Sequence, residues 1–198
     1  MLKQSAQPER QTIPAAESRS ADPREAPADP ATRTIPKQTP SSQAAERSPA
    51  AAIKGQRINL LAPENGGQLV AASNDSWRNT INGKENSYVY VDNGEGVYAF
   101  NNEQPAVFDT FKVLIPQSNE FNLNEFELLA ANDSPTGRFD SIGRFKTQNV
   151  KLFKSPYQEF QFPPVRARYL KVKPLTNHRG DKGGVTIAYQ FQLFGVHE

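Results

Sequence analysis

The sequence predicts one all-β sandwich or barrel, preceded by a tail with no core of its own. Three observations carry this: the aromatic residues are confined to one part of the chain, short apolar runs alternate with turn clusters after residue 57, and no segment shows helical periodicity. The first aromatic residue is Trp77, and half of the 16 prolines fall between Pro8 and Pro49. Residues 1–56 are rich in Ala, Pro, Ser and Gln and carry mixed charge. Such a segment cannot bury enough apolar surface to offset the entropy of ordering it, and its prolines interrupt any helix the alanines favour. It is expected to be a disordered tail or linker, with at most one helical turn around 43–53. Residues 24–30 have the spacing of a polyproline ligand, a spacing that recurs in proline-rich tails without function.

From residue 57 to 198 the texture changes. A short apolar strand at 58–61 precedes the turn Pro63-Glu64-Asn65-Gly66-Gly67, and 68–72 forms the next strand. Asn82-Gly83 and Asn93-Gly94 are turn dipeptides on either side of Tyr88, Val89, Tyr90 and Val91. The tyrosines share one face of that run, which suits core or interface packing. A long strand over 106–115 is stopped by Pro116. In 123–131, Phe126 and Leu128 share one face and Glu125 and Glu127 the other. The turn Asp133-Ser134-Pro135-Thr136-Gly137 leads to expected strands at 139–145, 150–153, 159–162, 166–172 and 185–194. In the last, Ile187, Tyr189, Phe191 and Leu193 alternate with Ala188, Gln190 and Gln192, so it reads as one half-buried strand. Eight to ten strands with turns every ~8–12 residues indicate a sandwich or barrel.

Composition narrows the function. Residues 1–56 hold eight Lys or Arg against six Asp or Glu, so the remainder carries 15 of each and lacks the basic footprint of a nucleic-acid binder. The absence of cysteine removes disulfides, thiol catalysis and zinc–thiolate sites. No stretch approaches the ~18 apolar residues of a membrane span. Met1-Leu2-Lys3-Gln4-Ser5 has no apolar core for a signal peptide. The protein is therefore expected to be cytosolic, to leave by another route, or to begin here at an internal start. Only His178 and His197 offer an imidazole base, and no nucleophile elbow, metal-ligand cluster or phosphate-cradling loop appears. An enzyme is not expected.

The order of several landmarks resembles the discoidin family, also called the coagulation factor five/eight type C domain, whose galactose-binding-like relatives include carbohydrate-binding module family 32. Ile58-Asn59-Leu60-Leu61 with Val70-Ala71-Ala72-Ser73 is similar to the family's opening strand and small-residue run. Thr80-Ile81-Asn82-Gly83 resembles its Asp-Gly turn, and the run from Phe126 to Asp133 resembles the strand that enters a Ser-x-Asp-Gly turn. Ala167-Arg168-Tyr169-Leu170-Lys171-Val172 is the most specific match, with Leu170 and Val172 facing the core, and Phe191-Gln192-Leu193-Phe194-Gly195 resembles the closing strand. The resemblance implies a jelly-roll β-sandwich whose ends lie close together, a ligand patch on the loops at one end, and an extracellular or cell-surface role.

Two features depart from the family. It often holds a structural Ca²⁺ near the Asp-Gly turn, but here the turn has Asn82, the acidic position of the closing strand is Gln190, and Ser87 offers only a hydroxyl. Ca²⁺ favours carboxylates, so these three residues read as a degraded calcium position, weakly bound or filled by an amide–amide hydrogen bond. No other cofactor is expected. The loop after the long strand, where sugar-binding relatives carry Arg and Asn, has Asn119 and Asn122 but no Arg.

The expected function is a non-catalytic module that recognises carbohydrate or a cell-surface ligand. Sugars are bound by an aromatic face and planar polar groups. Trp77, in a polar run, could be that face or a lid over the sandwich end. Arg78, Asn119, His178 and Arg179 are the candidate polar readers, the last two on the polar loop 176–184. Arg179-Gly180-Asp181 also matches an adhesion tripeptide, which recurs by chance. The alternative is a protein–protein adaptor tethered by the tail.

Overall fold

The computed structural model describes residues 55–91, 94–153, 155–180, 182 and 184–198. The expected tail lies outside them except for Gly55 and Gln56, as do its helical turn and the polyproline-like segment.

Eleven strands occur among the described residues. β1 (Ile58–Asn59), β11 (Phe191–His197), β5 (Ala106–Leu114) and β8 (Tyr157–Ala167) form one antiparallel sheet in that order. β2 (Gln68–Ala72), β4 (Gly96–Ala99), β9 (Tyr169–Asn177), β6 (Leu123–Ala131) and β7 (Asp140–Lys146) form a second. β3 (Val89–Val91) and β10 (Thr186–Ala188) make a two-stranded ribbon. Among the described residues, helical geometry is limited to three short 3-10 turns at Pro63–Asn65, Asp75–Thr80 and Asn101–Glu103.

Period-two patterning makes this a sandwich. Phe108, Phe111 and Val113 of β5 are buried against Phe126 and Leu128 of β6 and Leu170 and Val172 of β9. Aromatic rings bridge the two sheets: Phe111 lies 5.7 Å from Phe126, and Phe126 lies 5.2 Å edge-on from Phe160. Offset and edge-on contacts at these distances suit the ring quadrupole. On the outer face of β6, Glu125 and Glu127 pair with Lys146 and Arg144 of β7 at 3.5 and 3.7 Å. Gly195 is required where β11 bulges, because a Cβ there would sit 2.2 Å from the Val107 carbonyl oxygen.

Two strand expectations need correction, and one strand has no counterpart among them. Residues 150–153 are a loop, because Val150 and Phe153 have no sheet neighbour and lie exposed. The run 185–194 is two strands. Ile187 and Tyr189 pack in a small separate cluster with Leu114, whereas Ala188, Phe191 and Leu193 enter the main core, so the alternation changes phase between Tyr189 and Phe191. β4 was not anticipated: Gly96-Val97-Tyr98-Ala99 is buried at every position and so shows no alternation. It sits between β2 and β9, where both faces are covered.

Candidate ligand-binding end of the sandwich

The strand register gathers one set of connections at one end. β9 runs towards it and leaves at Asn177, β6 enters at Leu123, and β5 meets β8 there at Leu114 and Tyr157. The described residues of 115–122, 147–156 and 178–185 therefore share this end, as do those of the excursion from β2 to β4 that includes β3. Ile58 pairs with Gly195, and His197 with Ala106, at the other end. Every exposed large hydrophobic among the described residues lies at the loop end: Tyr88, Tyr90, Val150, Leu152, Phe153 and Val185. Scattered apolar exposure needs no explanation, but clustering at one end does.

The tyrosines form the best-built part of it. Tyr90 faces Ile187 across the β3–β10 ribbon, and cross-strand partners share a face. Tyr88 and Tyr90 are 41% and 58% exposed, and their rings stand 5.3 Å apart at 84°. Tyr88 also packs 5.6 Å from the buried ring of Tyr189. Beneath lie Leu114 and Ile187, with Phe121 and Tyr157 packed against them. The Ile187 amide donates to Phe121 O at 2.7 Å, which ties the ribbon to the 115–122 loop. The Arg179 guanidinium lies 5.9 Å from the Phe121 ring centroid, at the edge of this aromatic surface. A hydrogen bond with Tyr88 raises the Tyr90 pKa, and burial raises those of Tyr189 and Tyr157, so these hydroxyls are protonated at neutral pH. Two rigid exposed rings plus hydroxyl donors can stack on an apolar face and read polar groups beside it.

The residues singled out from the sequence do not converge on one surface. Trp77 is fully buried: its ring packs 6.5 Å from Phe191, and Nε1–H donates to Ser73 Oγ at 3.0 Å. Gly96 makes room for it, since a Cβ there would lie 2.5 Å from the indole. The aromatic face expected of Trp77 is thus inside the core, and of its two expected roles only the structural one remains. Arg78 is exposed; its carbonyl accepts from the Ile81 amide at 3.3 Å, and its side chain makes no hydrogen bond or ion pair among the described residues. Asn119 shapes its own loop, accepting from the Phe121 amide at 2.9 Å while its amide donates to Asn149 Oδ1 at 2.9 Å.

His178 is also structural. Thr147 gives its one hydroxyl hydrogen to Leu123 O, so His178 Nε2 is the donor to Thr147 Oγ1 at 2.9 Å. Its amide donates to Asn122 O at 3.1 Å. Burial, reinforced by Lys146, holds the imidazole below its usual pKa. Of the five, Arg179 lies on the aromatic surface. The adhesion tripeptide includes Asp181, outside the described residues.

No protein-family model and no curated protein matches this sequence. Solved structures do. A family 32 carbohydrate-binding module from Clostridium perfringens, in complex with galactose, matches with a TM-score of 0.54 at 11% identity, covering 70% of this chain and 99% of that one. Another from the same organism, in complex with GalNAc-β-1,3-galactose, gives 0.53 at 15% identity, covering 69% and 99%. The family 32 module of a Streptococcus pneumoniae protein gives 0.52 at 11%, covering 69% and 98%. The sandwich has the discoidin-type, galactose-binding-like fold. At these identities the likeness is one of fold.

The calcium position implied by the galactose-binding-like resemblance does not fit a cation. Gln190 is 2% exposed, and its Nε2 donates to the carbonyl oxygens of Asn79 and, at 3.4 Å, of Ser87. The Gly83 amide donates to Gln190 Oε1 at 2.9 Å, which fixes the carboxamide in this sense. Asn82 does not bond Gln190, contrary to the amide–amide pair expected. It donates to Ser87 Oγ and accepts from the Lys84 amide, both at 2.9 Å. The donor set contains no carboxylate, and the converging carbonyls already face N–H hydrogens. No cluster of three or more His, Asp or Glu able to hold a metal occurs among the described residues.

Proposed function

We propose that this chain is a non-catalytic glycan-binding module that stacks its ligand on Tyr88 and Tyr90, with Arg179 at the rim reading hydroxyl or acidic groups. The observation that carries this is the exposed tyrosine pair, held on a hydrogen-bonded ribbon and backed by a small apolar cluster. Sugar rings offer an apolar face to such surfaces. Similarity of fold to modules solved with galactose and with GalNAc-β-1,3-galactose supports the same ligand class, and with it an extracellular or cell-surface setting. The non-catalytic reading is supported by the two histidines: His178 is committed to Thr147, and His197 lies at the opposite end against Asn65 O at 3.1 Å.

A glycan array followed by calorimetry on the hits tests this. Wild type should bind a glycan that Tyr90→Ala and Tyr88→Ala bind at least ~10-fold more weakly, which is ~1.4 kcal/mol, with unfolding midpoints unchanged. Equal affinity in all three proteins would remove the tyrosines from the site. An array without hits would remove the glycan reading.

One observation favours a protein adaptor as the second reading. The 147–156 loop projects Leu152 and a fully exposed Phe153 beside Lys151, and residues 141–158 contain no Asp or Glu. Its base is held by the buried Gln158, so the tip is presented from a fixed support. Affinity capture with wild type and Phe153→Ser separates the readings, because a stacking site on the tyrosines does not need Phe153.

A further inference from the structure

We propose that the Gln190 carboxamide takes the place of a structural cation, so that the 79–88 loop is closed by a neutral side chain and the fold is indifferent to Ca²⁺. The loop from Asn79 to Ser87 turns two carbonyl oxygens towards one point, as loops do around a bound cation. In a buried setting those oxygens need a partial positive charge, and an unpaired buried carbonyl is costly. Gln190 enters from the junction of β10 and β11 and puts one N–H on each of them, Asn79 O and Ser87 O. Its own oxygen is occupied by the Gly83 amide at 2.9 Å, and its backbone carbonyl accepts from Leu114 N at 2.9 Å.

One side chain thus supplies the donors a cation would otherwise supply by charge, and joins them to the Asn82-Gly83 turn and to β5. A carboxylate here would present only acceptors to two carbonyls and would need a cation between them. Asn82 fits the same logic: its amide nitrogen donates to Ser87 Oγ, which a carboxylate could not do. The loop so closed ends at Ser87, immediately before Tyr88, and Asn79 Nδ2 reaches Tyr88 O at 3.2 Å. Gln190 therefore positions the base of the tyrosine surface. The inference does not depend on what that surface binds.

Thermal unfolding of the full chain, in EDTA and in millimolar CaCl₂, tests it. Wild type should unfold at the same temperature in both. Gln190→Met, which keeps the length and removes the hydrogen bonds, should unfold roughly 5–10 °C lower in both. The double variant Asn82→Asp, Gln190→Glu should be destabilised in EDTA and regain stability in CaCl₂, acquiring a calcium dependence the wild type lacks. If the double variant is unfolded in EDTA, circular dichroism replaces the midpoint, and folding on addition of Ca²⁺ is the expected result. The proposal is overturned by a wild-type midpoint that rises with Ca²⁺, by Gln190→Met unfolding at the wild-type temperature, or by a double variant that Ca²⁺ neither stabilises nor folds.

Discussion

Replacing Trp77 by Ala should cost the fold about 3–5 kcal/mol, the range for deleting a fully buried large aromatic side chain. The structure decides how that range divides. Trp77 heads the fully buried side chains by volume, and its ring fills the space between Phe191 and the backbone of Gly96. Gly96 lies in β4, which pairs with β2 and β9 on either side, so this wall cannot collapse into the cavity without breaking two ladders. The packing loss should therefore lie towards the upper part of the range. The lost hydrogen bond adds little, because Ser73 is exposed and recovers water. Against a typical stability of ~5–15 kcal/mol the loss is large but need not abolish folding. Urea unfolding followed by far-ultraviolet circular dichroism measures it, since the variant has no tryptophan. In the wild type, Trp77 is the sole tryptophan, so its emission should be blue-shifted, shielded from acrylamide and insensitive to sugars. A loss under ~1 kcal/mol, or emission quenched like that of a free indole, would put the ring in solvent and refute the burial argument.

Two smaller perturbations probe the supports of each end. The Arg57 guanidinium grips Asp109 with two hydrogen bonds and holds its pKa below the usual 3.8, so the pair stabilises the fold above that pH and the contribution is lost as pH falls through the lowered value. Arg57 is 40% exposed, so Arg57→Ala should cost at most ~1 kcal/mol at pH 7, and the difference from wild type should shrink below pH ~3.8 in urea titrations at both pH values. A difference independent of pH would mean that the arginine acts through its alkyl stem. Gln158→Ala removes bonds to Gln148 N, Gln148 O and Val150 O and should cost ~1–3 kcal/mol, with faster amide exchange confined to the 147–156 loop. Unchanged exchange there would show that the loop is held by something else.

The strands that sequence patterning finds are those with one buried face and one wet face. β6 is legible because Phe126 and Leu128 alternate with glutamates that have cross-strand cations to meet. β4 is not, because Gly96-Val97-Tyr98-Ala99 is covered on both faces and too short to stand out by length. The 150–153 loop is misread as a strand because its apolar residues satisfy the same pattern without a core to face. Where alternation runs through a break, as from Ile187 to Leu193, nothing local signals that its phase changes. Gln190 reads as one more polar residue of that alternation, and its role lies in the carbonyls of a loop some hundred residues earlier.

The same asymmetry governs the candidate site. That Tyr88 and Tyr90 share a face follows from spacing alone. Which side of the sandwich that face looks to depends on the pairing of β3 with β10, and hence on residues at the far end of the chain. Polar sequence neighbours suggest exposure for Trp77, but they belong to a 3-10 turn whose buried positions are Trp77 and Thr80. Three residues apart is one turn of such a helix, so the two fall on one side and go inwards together. Thr80 gives the reason: its hydroxyl meets Trp77 O at 2.7 Å and Tyr98 Oη at 2.6 Å, a buried polar link that anchors the turn to β4. The turn is held over the sandwich by its tryptophan and threonine. The two tyrosines left outside lie in β3 and immediately before it, and β3 belongs to a two-stranded ribbon and to neither main sheet.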